Sequence, residues 1–493
     1  MSSIHKSLRI LAALSLAPVS FCSAFQTHAA SLRLEDCRLQ SALTGGGVAA
    51  ECGRLAVPED RENPSGKQIE LHVAVVRSMR TEPEGDPLFV LSGGPGQAAS
   101  DFYISIAPAL ARIRRDRDIV IVDQRGTGKS NRLDCTFPDE SDITFTDPQQ
   151  LRELTRSCLA QLPGDPRFYT TSVAVRDLDD VRAALGYQRL DLYGVSYGTR
   201  VAQQYMRRYP QRVRVAILDG VVPAQLPLGP DVALDAQAAI DSAFARCDSN
   251  ADCKRVFPNI ANTFATLRAR VLEKPVALSI PDPLSAEPTR TQLGAPELSA
   301  AVRLLSYSDE TVSTLPLLIQ EAWTGQPEAL AAQYLMIKRN LDSQIANGMH
   351  FAVVCSEDAP RWHERAVPDS ELAKTYIGES FMQAMRTICE QWPRGPVDEG
   401  FGNPLQSEIP TLVLSGGNDP VTPARYGDEV MKGLKNAKHL VLDGQGHGQI
   451  AIGCMPRIVA EFIAAGNVKT LNDECLKTVA PAPFLLSRSA PAP

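Results

Sequence analysis

The chain of 493 residues alternates short apolar runs with stretches whose apolar residues recur every three or four positions. A short apolar run that ends at glycine or aspartate is typical of a buried strand, and the longer period is typical of a helix with one buried face. Predicted strands are Asp118–Val122, Leu190–Tyr193, Thr411–Leu414 and Leu440–Leu442, together with the runs that precede Gly93 and Asp219. This alternation predicts an α/β fold with a mostly parallel central sheet flanked by helices.

The clearest strand–turn–helix pattern surrounds the predicted strand Leu190–Tyr193. Before the strand, Thr171 and Ser172 are suited to begin a helix and Gly186 is suited to end it. After the strand, apolar residues recur every four positions until Pro210. They are Val201, Tyr205 and Tyr209. The turn between this strand and this helix therefore lies at the carboxyl end of a strand.

That turn carries a serine, Ser196, between Gly194 and Gly198. A residue on a very sharp strand-to-helix turn crowds its neighbours, so the flanking positions favour glycine, which has no Cβ. Such a turn lifts one hydroxyl clear of the sheet edge, and we therefore interpret Ser196 as a nucleophile. The alternative is an ordinary turn with a solvent-exposed serine.

A serine nucleophile needs a base and an acid that orients the base. His447 lies between two glycines just after a predicted strand, and we interpret it as the base; His350 and His363 are weaker candidates. Asp419 follows the strand Thr411–Leu414 and is the preferred acid, because the chain order then reads Ser, Asp, His. Asp219, which also ends a strand, is the second choice.

The oxyanion of an acyl-transfer reaction needs backbone donors. We expect one from the N–H of Tyr197, directly after the serine. The other is expected from the loop "SGGPG" that follows an early strand, and we name Gly94 with an uncertainty of one position. Glycines in this loop let the backbone approach the reacting carbonyl.

The stretch "DQRGTGKS" resembles the end of a phosphate-binding loop but fails its pattern. Asp123 stands where that pattern requires its first glycine. We interpret the stretch as a tight turn in which Arg125 organises neighbouring loops by hydrogen bonds, and no nucleotide site is predicted.

Residues 1–30 predict a secretory signal peptide. Two basic residues precede an apolar stretch, Ile10–Phe21, which is too short and too interrupted by Pro18 to span a membrane. The possible cleavage sites follow Ala24, Ala29 and Ala30. Cys22 does not indicate lipidation, because Phe21 is too bulky for such a site. We therefore expect export, to the periplasm or the medium, without a membrane anchor.

The cysteine count agrees with export. Of eleven cysteines one, Cys22, lies in the leader, which leaves an even number. We expect neighbours to pair, although spacing alone does not fix connectivity. The expected pairs are Cys37 with Cys52, Cys135 with Cys158, Cys247 with Cys253, Cys355 with Cys389, and Cys454 with Cys475. No spacing predicts a metal site or a cofactor, and the net charge of −7 disfavours nucleic acid as a partner.

The candidate serine and the candidate acid lie on either side of a long gap. We therefore predict two core segments, residues 37–221 and 406–478, that close one sheet. A mainly helical cap, residues 222–405, is inserted between them, with helices predicted at Leu317–Trp323 and Pro327–Leu335. Ala-Pro repeats predict that residues 479–493 are disordered.

Five motifs carry a resemblance to a known family: "SGGPG", "DQRGTGKS", "GVSYGT", "GGNDPVTP" and "GQGHG", in that order. Together they resemble the α/β-hydrolase serine peptidases of the prolyl iminopeptidase and tripeptidyl aminopeptidase type, over nearly all of the mature chain. The resemblance implies the α/β-hydrolase fold. It also implies that Ser196, Asp419 and His447 are nucleophile, acid and base, and that Gly94 and Tyr197 are oxyanion donors.

Prolyl iminopeptidases usually have histidine where this chain has Ser92. The length and the cysteine content are more similar to the larger, exported tripeptidyl-aminopeptidase-like branch. The resemblance thus implies an enzyme that cleaves small peptides from their amino ends through an acyl-enzyme. An esterase or amidase of small molecules is the first alternative, and a hydrolase-fold binding protein without turnover is the second.

An exopeptidase must bind a free α-amine, and a carboxylate near the serine is suited to do so. The stretch "VVCSEDAP" offers Glu357 where the cap returns toward the core. We hypothesise that Glu357 binds the substrate amine; the alternative is an exposed surface acid.

Overall fold

The computed structural model describes residues 32–40, 46–135 and 147–489. The predicted signal peptide and Cys22 lie outside the described residues. The strands are β1 (Glu35–Gln40), β2 (Gly47–Pro58), β3 (Gln68–Val76), β4 (Leu88–Leu91), β5 (Ile119–Val122), β6 (Leu190–Val195), β7 (Val213–Asp219), β8 (Val276–Pro281), β9 (Pro288–Leu293), β10 (Thr411–Gly416) and β11 (Ala437–Leu442). The predicted strands are thus confirmed, with ends that shift by one or a few residues.

The α-helices fall into three groups along the chain. Those before β7 are α1 (Ala99–Ile106), α2 (Ala111–Arg114), α3 (Pro148–Gln161), α4 (Thr171–Ala184) and α5 (Tyr197–Arg208). Those between β7 and β10 are α6 (Val232–Ser249), α7 (Ala251–Val256), α8 (Ile260–Glu273), α9 (Ala295–Leu305), α10 (Asp309–Val312), α11 (Leu315–Trp323), α12 (Glu328–Gln344), α13 (Asn347–Val353), α14 (Asp369–Leu372) and α15 (Ser380–Cys389). The last two are α16 (Ala424–Met431) and α17 (Met455–Ala465).

One sheet has the strand order β1-β2-β3-β5-β4-β6-β7-β10-β11. The first four strands in this order pair antiparallel, and the strands from β5 to β11 pair parallel. The mostly parallel sheet is therefore confirmed. Because parallel strands share one direction, the loops after β4, β6, β7, β10 and β11 all lie at the same edge.

Both faces of the sheet are covered by helices. Every residue of β6 is buried. Its consecutive residues Leu192 and Tyr193 belong to two different apolar clusters, one on each face of the sheet. Helices α4, α5 and α16 pack on the first cluster, and α1, α2 and α17 pack on the second. Burial on both faces explains why the parallel strands appear in the sequence as continuous apolar runs.

We call residues 222–405 the insert. It contains α6 to α15 and a two-stranded antiparallel sheet, β8 with β9. Apolar side chains of α6, α8, α9 and α11 form a separate buried cluster within it. Helices α11 and α12 confirm the two helices predicted in this part of the chain.

The end of the chain differs from the prediction of a disordered tail. Residues 479–489 run without regular secondary structure along the insert, whereas residues 490–493 lie outside the described part of the chain. Phe484 packs on the cluster of the insert and lies under the guanidinium of Arg246, 4.2 Å from ring to Cζ. The Leu485 N–H donates to the carbonyl of Ser313 at 2.9 Å. The Ala-Pro composition could not indicate these contacts because their partners lie about 170 to 240 positions earlier in the sequence.

All five predicted cysteine pairs are joined as disulfides. None of the helices in the described ranges combines the length and the apolar character that a membrane crossing requires.

Candidate active site

The site lies at the carboxyl edge of the sheet, where the loops after five parallel strands meet. The residues that these loops bring to the edge are Gly94 after β4, Ser196 after β6, Asp219 at the end of β7, Asp419 after β10 and His447 after β11. Ligand and catalytic groups of open α/β sheets are found at this edge because the strand ends converge there.

Ser196 sits on the sharp turn that the two glycines predict. Its backbone has φ 55° and ψ −126°, outside the regions that residues with a side chain usually adopt. A Cβ on Gly194 would overlap the carbonyl of Gly198, and a Cβ on Gly198 would overlap the carbonyl of Leu91. The glycines are therefore required by close packing, and the strained turn presents the serine at the start of α5.

His447 and Asp419 form a close pair. His447 Nδ1 lies 2.7 Å from Asp419 Oδ2, and the Asp419 carboxylate also accepts hydrogen bonds from the N–H groups of Val421 and Thr422. Burial alone would lower the pKa of His447, but the charge and the hydrogen bond of Asp419 outweigh it and raise that pKa above its usual value. Burial would raise the pKa of Asp419, yet His447 and the two N–H donors keep it below its usual value.

Ser196 and His447 make no direct hydrogen bond to each other. Within the described ranges, Ser196 Oγ has no hydrogen-bond partner. The Ser196 N–H donates to the carbonyl of Asp219 at 2.9 Å, and a Cβ on the next residue, Gly220, would lie 2.9 Å from Cε1 of His447. Both side chains are partly exposed, and catalytic hydrogen bonds are often long before substrate binds.

The glycine-rich loop lies against the serine. A Cβ on Gly93 would lie 3.1 Å from Cβ of Ser196 and 3.6 Å from its Oγ. Among the described residues, neither the N–H of Gly94 nor that of Tyr197 donates to a backbone or side-chain acceptor. Unused backbone donors in the residue after a nucleophile and in a loop packed against it are the kind of groups that bind an oxyanion.

Asp219, the second-choice acid, accepts hydrogen bonds from three groups. Its carboxylate binds the N–H of Gln449 at 2.8 Å, the N–H of Ile450 at 3.0 Å and the hydroxyl of Tyr193 at 2.9 Å. It also contributes charge that raises the pKa of His447. Burial raises the pKa of Asp219 itself to about 6. In this geometry Asp219 fixes the loop that carries His447, and Asp419 is the carboxylate bonded to the ring.

The insert reaches the site at two points. The His447 N–H donates to the carbonyl of Tyr307 at 2.7 Å, and the Tyr307 ring meets the imidazole edge to face at 5.4 Å. On the other side, the Ala346 N–H donates to the carbonyl of Gly96, and Nδ1 of His350 lies 3.3 Å from the carbonyl of Pro95. His350, a weaker candidate for the base, thus contacts the glycine-rich loop, whereas no local pattern could have identified Tyr307 or Ala346, because their position depends on how the insert docks.

Glu357 is buried rather than exposed. Its carboxylate accepts hydrogen bonds from the N–H and the hydroxyl of Thr171 at 2.5 and 3.0 Å, and it lies 3.6 Å from Arg200. The Thr171 hydroxyl is also 2.6 Å from the hydroxyl of Tyr197, which links Glu357 to the residue after the serine. Burial raises the pKa of Glu357 to about 7, although Arg200 opposes the shift.

The turn "DQRGTGKS" follows the interpretation from sequence. Arg125 is fully buried, and its guanidinium donates to both carboxylate oxygens of Asp177. It also donates to three backbone carbonyls, those of Pro58, Glu59 and Phe168. Arg125 thus ties three segments of the chain together. In residues 32–40, 46–135 and 147–489 there is no group of three metal-ligating side chains.

The fold and the site define a class of protein. The family model described as alpha/beta hydrolase fold matches residues 86–451, and the chain belongs to that family. Among curated relatives it is similar to the serine protease Hip1 of Mycobacterium tuberculosis, with 28% identity over 468 residues that cover 86% of this chain and 87% of the relative. It is also similar to the tripeptidyl aminopeptidase of Streptomyces lividans, with 24% identity over 478 residues, 88% of this chain and 85% of the relative.

A solved structure of similar fold is the proline iminopeptidase of Mycobacterium smegmatis. It shares 18% identity, with a TM-score of 0.37, over 84% of this chain and 98% of that one.

Proposed function

We propose that this chain is an exported serine hydrolase that releases short peptides or amino acids from the free N-termini of peptides through an acyl-enzyme. The observation that carries the proposal is the 2.7 Å bond between His447 and Asp419, beside a serine on a strained strand-to-helix turn. The similarity to a serine protease and to a tripeptidyl aminopeptidase over most of the chain supports peptides as substrates.

In the proposed mechanism Ser196 Oγ attacks the scissile carbonyl while His447 takes its proton. Asp419 holds His447 with Nδ1–H toward the carboxylate, so that Nε2 is free to act as the base. The N–H groups of Tyr197 and Gly94 stabilise the oxyanion. His447 then protonates the departing amine, and a water molecule releases the acyl group by the reverse steps.

The insert supplies the reason to propose an exopeptidase. It contacts both the glycine-rich loop and His447, so a long chain passing through the site would meet it on two sides. We propose that residues 222–405 act as a cap that admits small peptides. The free amine would bind Glu357, whose carboxylate lies one hydroxyl group away from the Tyr197 side chain.

Export is proposed from two features. Five disulfides are typical of proteins that fold in an oxidising compartment, and the first thirty residues have the composition of a signal peptide.

The test is a substrate profile of the purified enzyme. Aminoacyl, dipeptidyl and tripeptidyl arylamides are compared with their N-acetylated forms and with acyl esters. We expect turnover of free-amine arylamides, loss of turnover on acetylation, and no turnover in Ser196→Ala. Turnover of esters alone would replace the proposal by an esterase, and failure of a fluorophosphonate to label Ser196 would replace it by a binding protein.

Glu357→Gln tests the amine site separately. We expect a KM for free-amine arylamides that rises about 10-fold or more, because the charge-assisted contact is lost. Asp369→Asn, an exposed carboxylate of the insert, is the matched control. An unchanged KM in Glu357→Gln would remove Glu357 from the substrate site.

A further inference from the structure

Helix α9 of the insert brings a guanidinium close to the proposed base. Arg303 lies in the last turn of α9, and Tyr307 follows four residues later. Nη2 of Arg303 donates to the Tyr307 hydroxyl at 3.4 Å, and the Tyr307 ring contacts the imidazole of His447. The charge of Arg303 acts on His447, whose pKa it lowers against the stronger effect of Asp419.

Arg303 has no acidic partner in the described part of the chain. No carboxylate oxygen there lies within 4.0 Å of its guanidinium, although the side chain is half-buried. Some other arginines of the insert do have such partners: Arg365 pairs with Asp231 and Arg246 pairs with Asp309. A half-buried cation without a counter-charge is unfavourable unless another anion binds it.

A second polar group without a partner belongs to Tyr376, whose backbone contacts the same helix. The Tyr376 hydroxyl is buried and makes no hydrogen bond to any described residue, and the whole residue is only 3% exposed. Its backbone carbonyl accepts a hydrogen bond from Ser299, one turn before Arg303 on α9. Burial raises the pKa of Tyr376, and the positive charge of Arg303 opposes this rise. A buried hydroxyl that finds no acceptor is unfavourable.

These donors lie on the side of the site where the leaving group departs. In the proposed mechanism His447 gives its proton to the departing amine, so the leaving residues lie next to His447. If the leaving group is one or two residues long, its α-carboxylate ends within reach of the groups that flank the imidazole. A guanidinium with adjacent hydroxyls matches a carboxylate in charge and in hydrogen-bond geometry.

We propose that Arg303, Tyr307 and Tyr376 form a subsite for the C-terminal carboxylate of a short leaving group. The inference rests on the proposed function and narrows its substrates to short peptides that end one or two residues after the cut.

The test uses alanine peptides of two to five residues, each made with a C-terminal carboxylate and with a C-terminal carboxamide. For the wild type we expect kcat/KM to be about 10- to 100-fold higher for the carboxylate form at the lengths that leave one or two residues. In Arg303→Met the carboxylate-to-carboxamide ratio should fall toward one, and Arg303→Lys should keep part of it. Tyr376→Phe, which removes only the hydroxyl, should lower the ratio several-fold.

Arg290→Met, on the exposed strand β9, is the control and should keep the wild-type ratio. A wild-type ratio near one, or a ratio that Arg303→Met leaves unchanged, overturns the subsite. The carboxylate-to-carboxamide ratio of the wild type is measured without any variant. The test therefore still decides the proposal if a variant fails to fold. Absence of turnover on every free-amine arylamide would instead overturn the proposed function, which separates the two failures.

Discussion

The Nδ1 atom of His447 lies 2.7 Å from the Oδ2 atom of Asp419, while the backbone N–H of His447 donates to the carbonyl of Tyr307 at 2.7 Å. The ring is therefore fixed by the loop after β10, and the backbone is fixed by the insert. A neutral imidazole that donates from Nδ1 has its lone pair on Nε2. The tautomer that a general base needs is the one that this hydrogen bond selects.

Replacing Asp419 by asparagine should reduce kcat by about 10⁴-fold, because the wrong tautomer of His447 is then favoured. It should also change the pH profile. A base must be neutral, so the rate falls as the pH drops below the pKa of His447, and Asp419 holds that pKa above its usual value. Without the carboxylate the pKa falls, and the acid limb of kcat/KM should move to lower pH. A profile and a rate like those of the wild type would exclude Asp419 as the acid.

Replacing Asp219 by asparagine should have a smaller kinetic effect and a clear effect on stability. Burial raises the pKa of Asp219 to about 6 in the folded chain, above its ordinary value of 3.8. As the pH rises, Asp219 ionises in the unfolded chain before it ionises in the folded chain. Its contribution to the free energy of unfolding is therefore fully present below the ordinary pKa and is lost as the pH rises toward 6. The free energy of unfolding of the wild type, relative to Asp219→Asn, should therefore decrease between about pH 4 and pH 6.5.

Denaturant unfolding at several pH values measures this difference, and kcat of the same variant gives the comparison with Asp419→Asn. A loss of kcat as large as that of Asp419→Asn would instead make Asp219 the acid of the reaction.

The sequence predicted those parts of the site that depend on local geometry. Gly194 and Gly198 are required by the close packing around Ser196, and glycines flank His447 at the end of a strand. Both motifs could therefore be recognised from the sequence. Arg303 and Tyr307 give no such signal. Their position beside His447 depends on the docking of an insert about 140 positions away in the chain, which apolar periodicity does not specify.

The burial of Glu357 is likewise not predictable from local sequence patterns. A glutamate in a polar stretch has no sequence feature that separates an exposed carboxylate from one enclosed by Thr171 and Arg200. Here the carboxylate lies in a π-helical segment, Val354–Asp358, whose wider turn changes the direction of the side chains. Such local irregularities arise from tertiary packing and are invisible to a 3.6-residue pattern.

Replacing Arg125 by methionine should destabilise the fold by about 3–5 kcal/mol, because the partner carboxylate of Asp177 loses its buried counter-charge. The remaining pair of Asp177 with Arg61 places the value at the lower end of this range. Urea unfolding monitored by circular dichroism measures it. Arg386→Met, which breaks the exposed pair with Asp369, is the control and should change the free energy of unfolding by less than about 1 kcal/mol. Equal effects of the two variants would contradict a structural role for Arg125.

Removing residues 479–493 should lower both the stability of the insert and the activity. Phe484 packs on the cluster of the insert, and the Ala482 N–H donates to Asp309, two residues after the Tyr307 that holds His447. The apolar burial of Phe484 contributes about 1–2 kcal/mol to the free energy of unfolding. Its loss should lower the thermal unfolding midpoint by several degrees.

Turnover of a free-amine arylamide should fall because the support for His447 weakens, and limited proteolysis should cut the truncated chain first within the insert. The control is Arg488→Ala, which breaks only an exposed ion pair of the tail with Glu321 and should leave the midpoint within about 1 °C of the wild type. A truncated chain with the wild-type midpoint and wild-type turnover would mean that the tail lies on the insert without stabilising it.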